Sequence, residues 1–170
     1  MKNIFIIGFK SSGKTTLGLR ISKDLKCKFI DTDRELLDRF NYKNINSLYN
    51  FLSKDNFRKE EAKLITELLK TSNREGISCR VISLGGGTLF NEYLKESLKD
   101  YGVLLFIDTP LEIIKGRLKN TKSIYDNKDI GLIYNERIKY FRDITDFTIT
   151  STNYQEIVGS ITKELNTLRV

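Results

Sequence analysis

Eight residues near the start of the chain have the types and spacing for phosphate chemistry. Gly8-Phe9-Lys10-Ser11-Ser12-Gly13-Lys14-Thr15 fits G-x-x-x-x-G-K-[ST], directly after an apolar run and ahead of a helical pattern. Glycines let the backbone curl so that amides point inward, and a helix N-terminus adds positive partial charge against phosphate. Ser11, Ser12, Gly13, Lys14, Thr15 and Thr16 are therefore the candidate nucleotide-binding residues. Lys14 would reach the β- and γ-phosphates and Thr15 would offer its hydroxyl to Mg²⁺. With average composition such a match arises by chance in on the order of one in a few hundred chains of this length. A plain glycine turn is the alternative. The loop alone does not separate a kinase from a GTPase or a motor.

Three further groups narrow the choice. Phe29-Ile30-Asp31-Thr32-Asp33 places two carboxylates at the end of a strand, where open α/β sheets hold ligands. On an extended chain both would share a face, so that one could hold Mg²⁺ through water while the other accepts from an acceptor hydroxyl and helps remove its proton. Asp33 could instead cap the helix that follows. Phe57-Arg58-Lys59-Glu60-Glu61 puts an arginine on a helix, and Leu84-Gly85-Gly86-Gly87-Thr88 puts three glycines after a strand. Consecutive glycines suit close approach of backbone to a ligand better than they suit packing.

The elements that must carry these residues follow from periodicity. Strands are predicted at residues 3 to 7, Lys28 to Asp31, Arg80 to Leu84, Tyr101 to Ile107 and Phe147 to Ile149. Helices are predicted from Lys14 to Leu25, before Asn41, over Ile45 to Leu69 with a break near Ser53, then near 91 to 99, 110 to 119 and 130 to 142, with a last one through Leu168. Short apolar strands alternating with helices predict a parallel sheet covered on both faces. The chain of 170 residues is one domain long, and no linker or internal repeat divides it.

Composition removes other chemistries. There is no histidine, so neither a Ser/His/Asp arrangement nor a histidine-bearing zinc site is possible. Cys27 and Cys79 are expected to be reduced, largely buried thiols. The net charge of +7 is spread along the chain without a basic run, which argues against a nucleic-acid arm. No segment approaches the ~20 apolar residues of a membrane span, and the apolar start is too short for a signal peptide. A cytoplasmic monomer that binds neither nucleic acid nor membrane is the expectation.

In order and spacing, GFKSSGKT, FIDTD, FRKEE, SLGGGT and NERIKYFRDITD resemble the shikimate kinase family across essentially the whole chain. The resemblance implies a three-layer α/β/α P-loop kinase fold with a five-stranded parallel sheet and a lid at about 119–129. It also implies MgATP-dependent phosphorylation of the 3-hydroxyl of shikimate, a step of aromatic amino-acid biosynthesis. By resemblance Lys14 contacts the transferring phosphate, Thr15 and Asp31 serve the metal, and Asp33 binds shikimate hydroxyls. Arg58 and Arg137 would clamp the carboxylate, with Arg142 the alternative to Arg137. Gly85, Gly86 and Gly87 would line the acceptor pocket, with Tyr49 and Phe57 beside the ring. A bidentate arginine clamp plus a carboxylate suits a small anion with vicinal hydroxyls.

Two features depart from the family pattern. The usual Arg-Pro pair of the lid is absent from Asn120-Thr121-Lys122-Ser123-Ile124-Tyr125-Asp126, which leaves Lys122 as the nearest catalytic cation. The usual Gly-Glu pair before F-R is Ser53-Lys54. By resemblance to an arginine near the start of the family lid, Arg117 would lie against adenine. Each of these cations, and each clamp arginine, has solvated surface charge as its alternative. Other readings are a kinase of gluconate or a nucleotide, which Asp33, Arg58 and Arg137 disfavour, and a non-catalytic paralogue.

Overall fold

The computed structural model describes residues 3–71, 79–119 and 129–167. Five strands, β1 (Asn3–Ile7), β2 (Lys28–Asp31), β3 (Arg80–Ser83), β4 (Gly102–Ile107) and β5 (Phe147–Ile149), form one parallel sheet in the order β2-β3-β1-β4-β5. The helices are α1 (Lys14–Asp24), α2 (Thr32–Phe40), α3 (Ile45–Thr71), α4 (Glu92–Tyr101), α5 (Leu111–Leu118), α6 (Ile130–Ile144) and α7 (Tyr154–Thr167).

Alternation along the central strands makes two cores. Phe5, Ile7, Leu104 and Phe106 point to the face covered by Ile65 of α3, Leu98 of α4 and Phe141 of α6. Ile4, Ile6, Val103 and Leu105 point to the face covered by Ile21 of α1 and Val158 and Ile161 of α7. Every residue of β1 and β4 is buried, which is why those strands read as continuous apolar runs. The chain after β1 crosses to one side of the sheet and reaches β2, whereas the chain after β3 crosses to β4 on the other side. The end of β1 is thus a topological switch point, and the phosphate loop begins there.

Helix α3 is two helices in series. Ser53 leaves helical conformation at φ 66° and ψ 162°, at the break the spacing predicts. The part after Ser53 ends against β3, where buried Arg80 donates from Nη1 to the Leu68 carbonyl at 2.6 Å. A minor core of Leu36, Leu48, Phe57 and Leu64 locks α2 to both parts of α3.

The cysteines depart from expectation. Cys27 and Cys79 form a disulfide, with Cα atoms 5.0 Å apart, rather than two free thiols. Each immediately precedes its strand, and the register of Lys28 on Arg80 brings the two side by side. Strand adjacency, invisible in their separation of 52 residues, made the pair.

Two stability tests follow from these features. In the chain-entropy description, closing a loop of this length contributes about 4 kcal/mol, so reduction or Cys79→Ser should lower Tm by roughly 5–15 °C. An unchanged Tm on reduction would show that the bond is not formed in solution. Ser53→Gly should stabilise by about 0.5–1 kcal/mol, because that region of φ and ψ is open to glycine almost alone. Denaturant unfolding checks it, and a loss of stability would mean that the Ser53 conformation is relaxed.

Candidate active site

The carboxyl edge of the sheet opens into a cleft of about 1430 Å³, more than one drug-sized ligand fills. Strand order divides it. The phosphate loop after β1 is central, the ends of β2 and β3 build one half, and the ends of β4 and β5 build the other.

The loop curls through Ser11 at φ 64° and Gly13 at φ 101°, the latter capping α1. Lys14 folds over the loop, donating from Nζ to the carbonyls of Gly8 at 3.1 Å and Phe9 at 3.0 Å. Burial pushes its pKa below the usual lysine value, against the opposing charges of Asp33 and Asp31. Ser12 is buried, and its carbonyl accepts from Thr109 Oγ1 at 2.9 Å, which ties the loop to the end of β4. Gly13 and Thr16 line the cleft beside it. On the β4 and β5 side, Arg117 donates from Nη1 to the Ser11 carbonyl at 2.9 Å and so lies over the lip of the loop.

Thr15 Oγ1 donates to Asp31 Oδ2 at 2.7 Å. A hydroxyl and a carboxylate in contact beside the phosphate loop fit Mg²⁺, which takes few protein ligands and keeps phosphate oxygens and waters. Among the described residues no cluster of three or more carboxylate, cysteine or histidine side chains forms a site of its own. The two aspartates are not arranged as the extended reading expects. Asp31 ends β2 and caps α2 through Oδ1, accepting from the amides of Asp33 at 3.1 Å and Arg34 at 3.3 Å. Asp33 already lies in the first turn of α2, so the turn, rather than strand pleating, aims its carboxylate.

On the β2 and β3 side the three glycines explain one another. A Cβ on Gly85 would stand 2.6 Å from Glu61 Oε1 and 2.9 Å from Asp33 Oδ1. A Cβ on Gly87 would collide with the Arg58 guanidinium, and one on Gly86 would stand 3.9 Å from Arg137 Nη1. Asp33, Arg58 and Arg137 therefore converge on one strip of backbone from α2, α3 and α6. Arg137 donates from Nη1 to the Gly86 carbonyl at 3.0 Å, with its guanidinium 5.0 Å from the Phe90 ring. The rest of the NERIKYFRDITD segment holds it there. Tyr140 donates to the Leu89 carbonyl at 2.7 Å, and Asp146 accepts from the Leu104 amide at 2.7 Å. Arg142 instead pairs with Asp108 at 2.7 Å, away from the glycines. Tyr49 and Phe57 line the cleft with ring centroids 5.2 Å apart. Lys122 and most of the expected lid lie outside the described residues.

The shikimate kinase family profile matches residues 10–166. The chain belongs to that family. It is 36% identical over 171 aligned residues to the shikimate kinase of Clostridium botulinum (strain ATCC 19397 / Type A), covering 96% of this chain and 95% of that one. It is also similar to the crystal structure of shikimate kinase from Aquifex aeolicus, at 28% identity and TM-score 0.75, over 99% of this chain and 98% of that one. Acinetobacter baumannii shikimate kinase, solved in complex with shikimate, has the same fold at 21% identity and TM-score 0.78, over 100% of this chain and 96% of that one.

One residue of this shikimate kinase family site was not singled out from sequence. Glu61 is 2% exposed, pairs with Arg58 and accepts from Thr88 Oγ1 at 2.9 Å. Its signal was present, three residues after Arg58 on a helix, but a surface ion pair has the same spacing. Burial, reinforced by the nearby Asp33 charge, pushes its pKa up to about 7 against the pull of Arg58. Burial also raises Asp33, with Lys14 opposing, which makes it a better proton acceptor.

Glu61 keeps its proton in the folded chain up to about pH 7, whereas its ordinary value is 4.5, so its contribution to stability falls as pH rises between the two. The loss amounts to about 3 kcal/mol. Glu61→Gln should flatten the decline of Tm from about pH 5 to pH 8. A variant whose Tm tracks the parent at every pH would show that Glu61 ionises normally.

Proposed function

We infer that this chain catalyses transfer of the γ-phosphoryl group of MgATP to the 3-hydroxyl of shikimate. The observation that carries this reading is the convergence of two arginines and a carboxylate on Gly85–Gly87, across the loop from Lys14. A planar arginine pair suits a carboxylate, and the aspartate suits a hydroxyl, so the acceptor is a small hydroxylated acid. A nucleotide acceptor, which has no carboxylate, gives that pair less to do, and the family membership favours shikimate over gluconate, which also carries a carboxylate.

ATP would lie along the loop, its phosphates met by the amides of Ser11, Ser12, Gly13, Lys14, Thr15 and Thr16, and its base beside Arg117. Mg²⁺, held by Thr15 and Asp31, supplies charge neutralisation at the β- and γ-phosphates when bound. Arg58 and Arg137 fix the acceptor's carboxylate, and Tyr49 and Phe57 flank its ring. Asp33 then orients the hydroxyl and takes its proton as oxygen bonds to the γ-phosphorus. The bond from that phosphorus to the bridging oxygen breaks, and ADP leaves with the electron pair. Catalysis is mostly positioning and charge stabilisation by Lys14. Lys122 is the cation the lid sequence offers in addition. The protein acts in this reading as a cytoplasmic monomer.

A coupled ADP-release assay with shikimate, quinate, gluconate and nucleoside monophosphates tests the acceptor, and turnover with shikimate above the others is expected. Lys14→Met should cost about 10³-fold or more in kcat without loss of fold. Arg58→Ala and Arg137→Ala should raise the shikimate KM while sparing ATP, and Asp33→Asn should lower kcat. If Arg58→Ala weakened ATP binding and spared shikimate, the acceptor pocket would be misplaced.

A further inference from the structure

Lys10 belongs to the phosphate loop, and its side chain reaches from there to α3. It is half-buried in the cleft and its Nζ donates to Asn46 Oδ1 at 3.3 Å. Asn46 lies in the first turn of α3, the wall of the acceptor half, so this ammonium spans from the nucleotide half toward the acceptor half. The backbone points the same way. The Lys10 amide nitrogen lies 3.5 Å from where a Cβ on Gly86 would be, in the strip that Arg137 also approaches. Lys10 thus lines the cleft between the loop and the start of α3. Its charge depresses the pKa of both Lys14 and Asp33, which places it within electrostatic reach of each.

The phosphoryl group in flight spreads its charge over three equatorial oxygens, and Lys14 approaches them from the nucleotide side. A second cation between Lys14 and the acceptor hydroxyl would meet the oxygens on the far side. The family pattern draws such a cation from a lid arginine, which this sequence lacks. Lys10 is carried by the phosphate loop itself.

We propose that Lys10 is a further catalytic residue, whose ammonium contacts the transferring phosphoryl group from the acceptor side and stabilises its charge. This rests on the phosphotransfer reading above. A glutamine at this position would still donate to Asn46 but carry no charge, whereas arginine would keep the charge.

The experiment is steady-state kinetics of Lys10→Gln, Lys10→Met, Lys10→Arg and Asn46→Ala, with ATP binding and melting recorded for each. Lys10→Gln and Lys10→Met should both lower kcat by about 10- to 10³-fold, with ATP affinity changed only a few-fold. Lys10→Arg should restore most of kcat, and Asn46→Ala should stay within about threefold of the parent. A folded member of the Gln and Met pair that keeps parental kcat overturns the proposal. So does an Asn46→Ala variant that reproduces their loss, since Lys10 would then act only as a tether to α3. Parent activity is read first on the acceptor panel. If another acid is preferred over shikimate, the acceptor reading falls while the Lys10 comparison proceeds on that acid.

Discussion

Absence of side chains at Gly85, Gly86 and Gly87 is the constraint on which the acceptor half depends. Each of these residues is approached by a different charged group, Glu61 and Asp33 at the first, Arg137 at the second and Arg58 at the third. A methyl at the first or third would occupy space that a carboxylate or a guanidinium already fills. The strip acts as a reference surface, against which three helices set their functional side chains with the precision that phosphoryl transfer needs.

Close approach has an electrostatic consequence. Like charges are brought together in a poorly solvated cleft, two acids at Asp33 and Glu61 and several bases at Lys10, Lys14, Arg58 and Arg137. Burial raises both acids and lowers Lys14, while the opposite charges hold these shifts in check. An anionic substrate and a polyphosphate supply the negative charge that this basic cleft lacks. The same crowding favours an anionic ligand, and burial keeps the Asp33 pKa above its ordinary value.

Supporting residues do less visible work. Asp146 and Tyr140 hydrogen bond to backbone at β4 and within the 3₁₀ turn Thr88–Phe90 that follows the glycines, and in doing so they aim α6. Arg80 caps the carbonyl end of α3 from within the sheet, and Thr109 ties the phosphate loop to β4. These contacts fix where Arg137, Arg58 and the loop meet. Their failure would move Arg137, Arg58 and the loop relative to one another without removing any of them.

Much of this protein was legible in its sequence because the relevant physics is local. The phosphate loop, the strands and the break near Ser53 follow from glycine placement and apolar period, and the boundaries of β1, β2 and β5 fall where that period puts them. Residue type also sufficed to nominate Lys14, Thr15, Asp31, Asp33, Arg58 and the glycines. What remained undetermined depended on distance across the chain. The Cys27–Cys79 bond comes from β2 lying beside β3, the direction of Arg137 rather than Arg142 from the docking of α6, and the burial of Glu61 from a strip of backbone 24 residues further along. Periodicity tells a chain which face of each element to bury; which strands become neighbours, and therefore which charges meet, is decided only when the whole sheet closes.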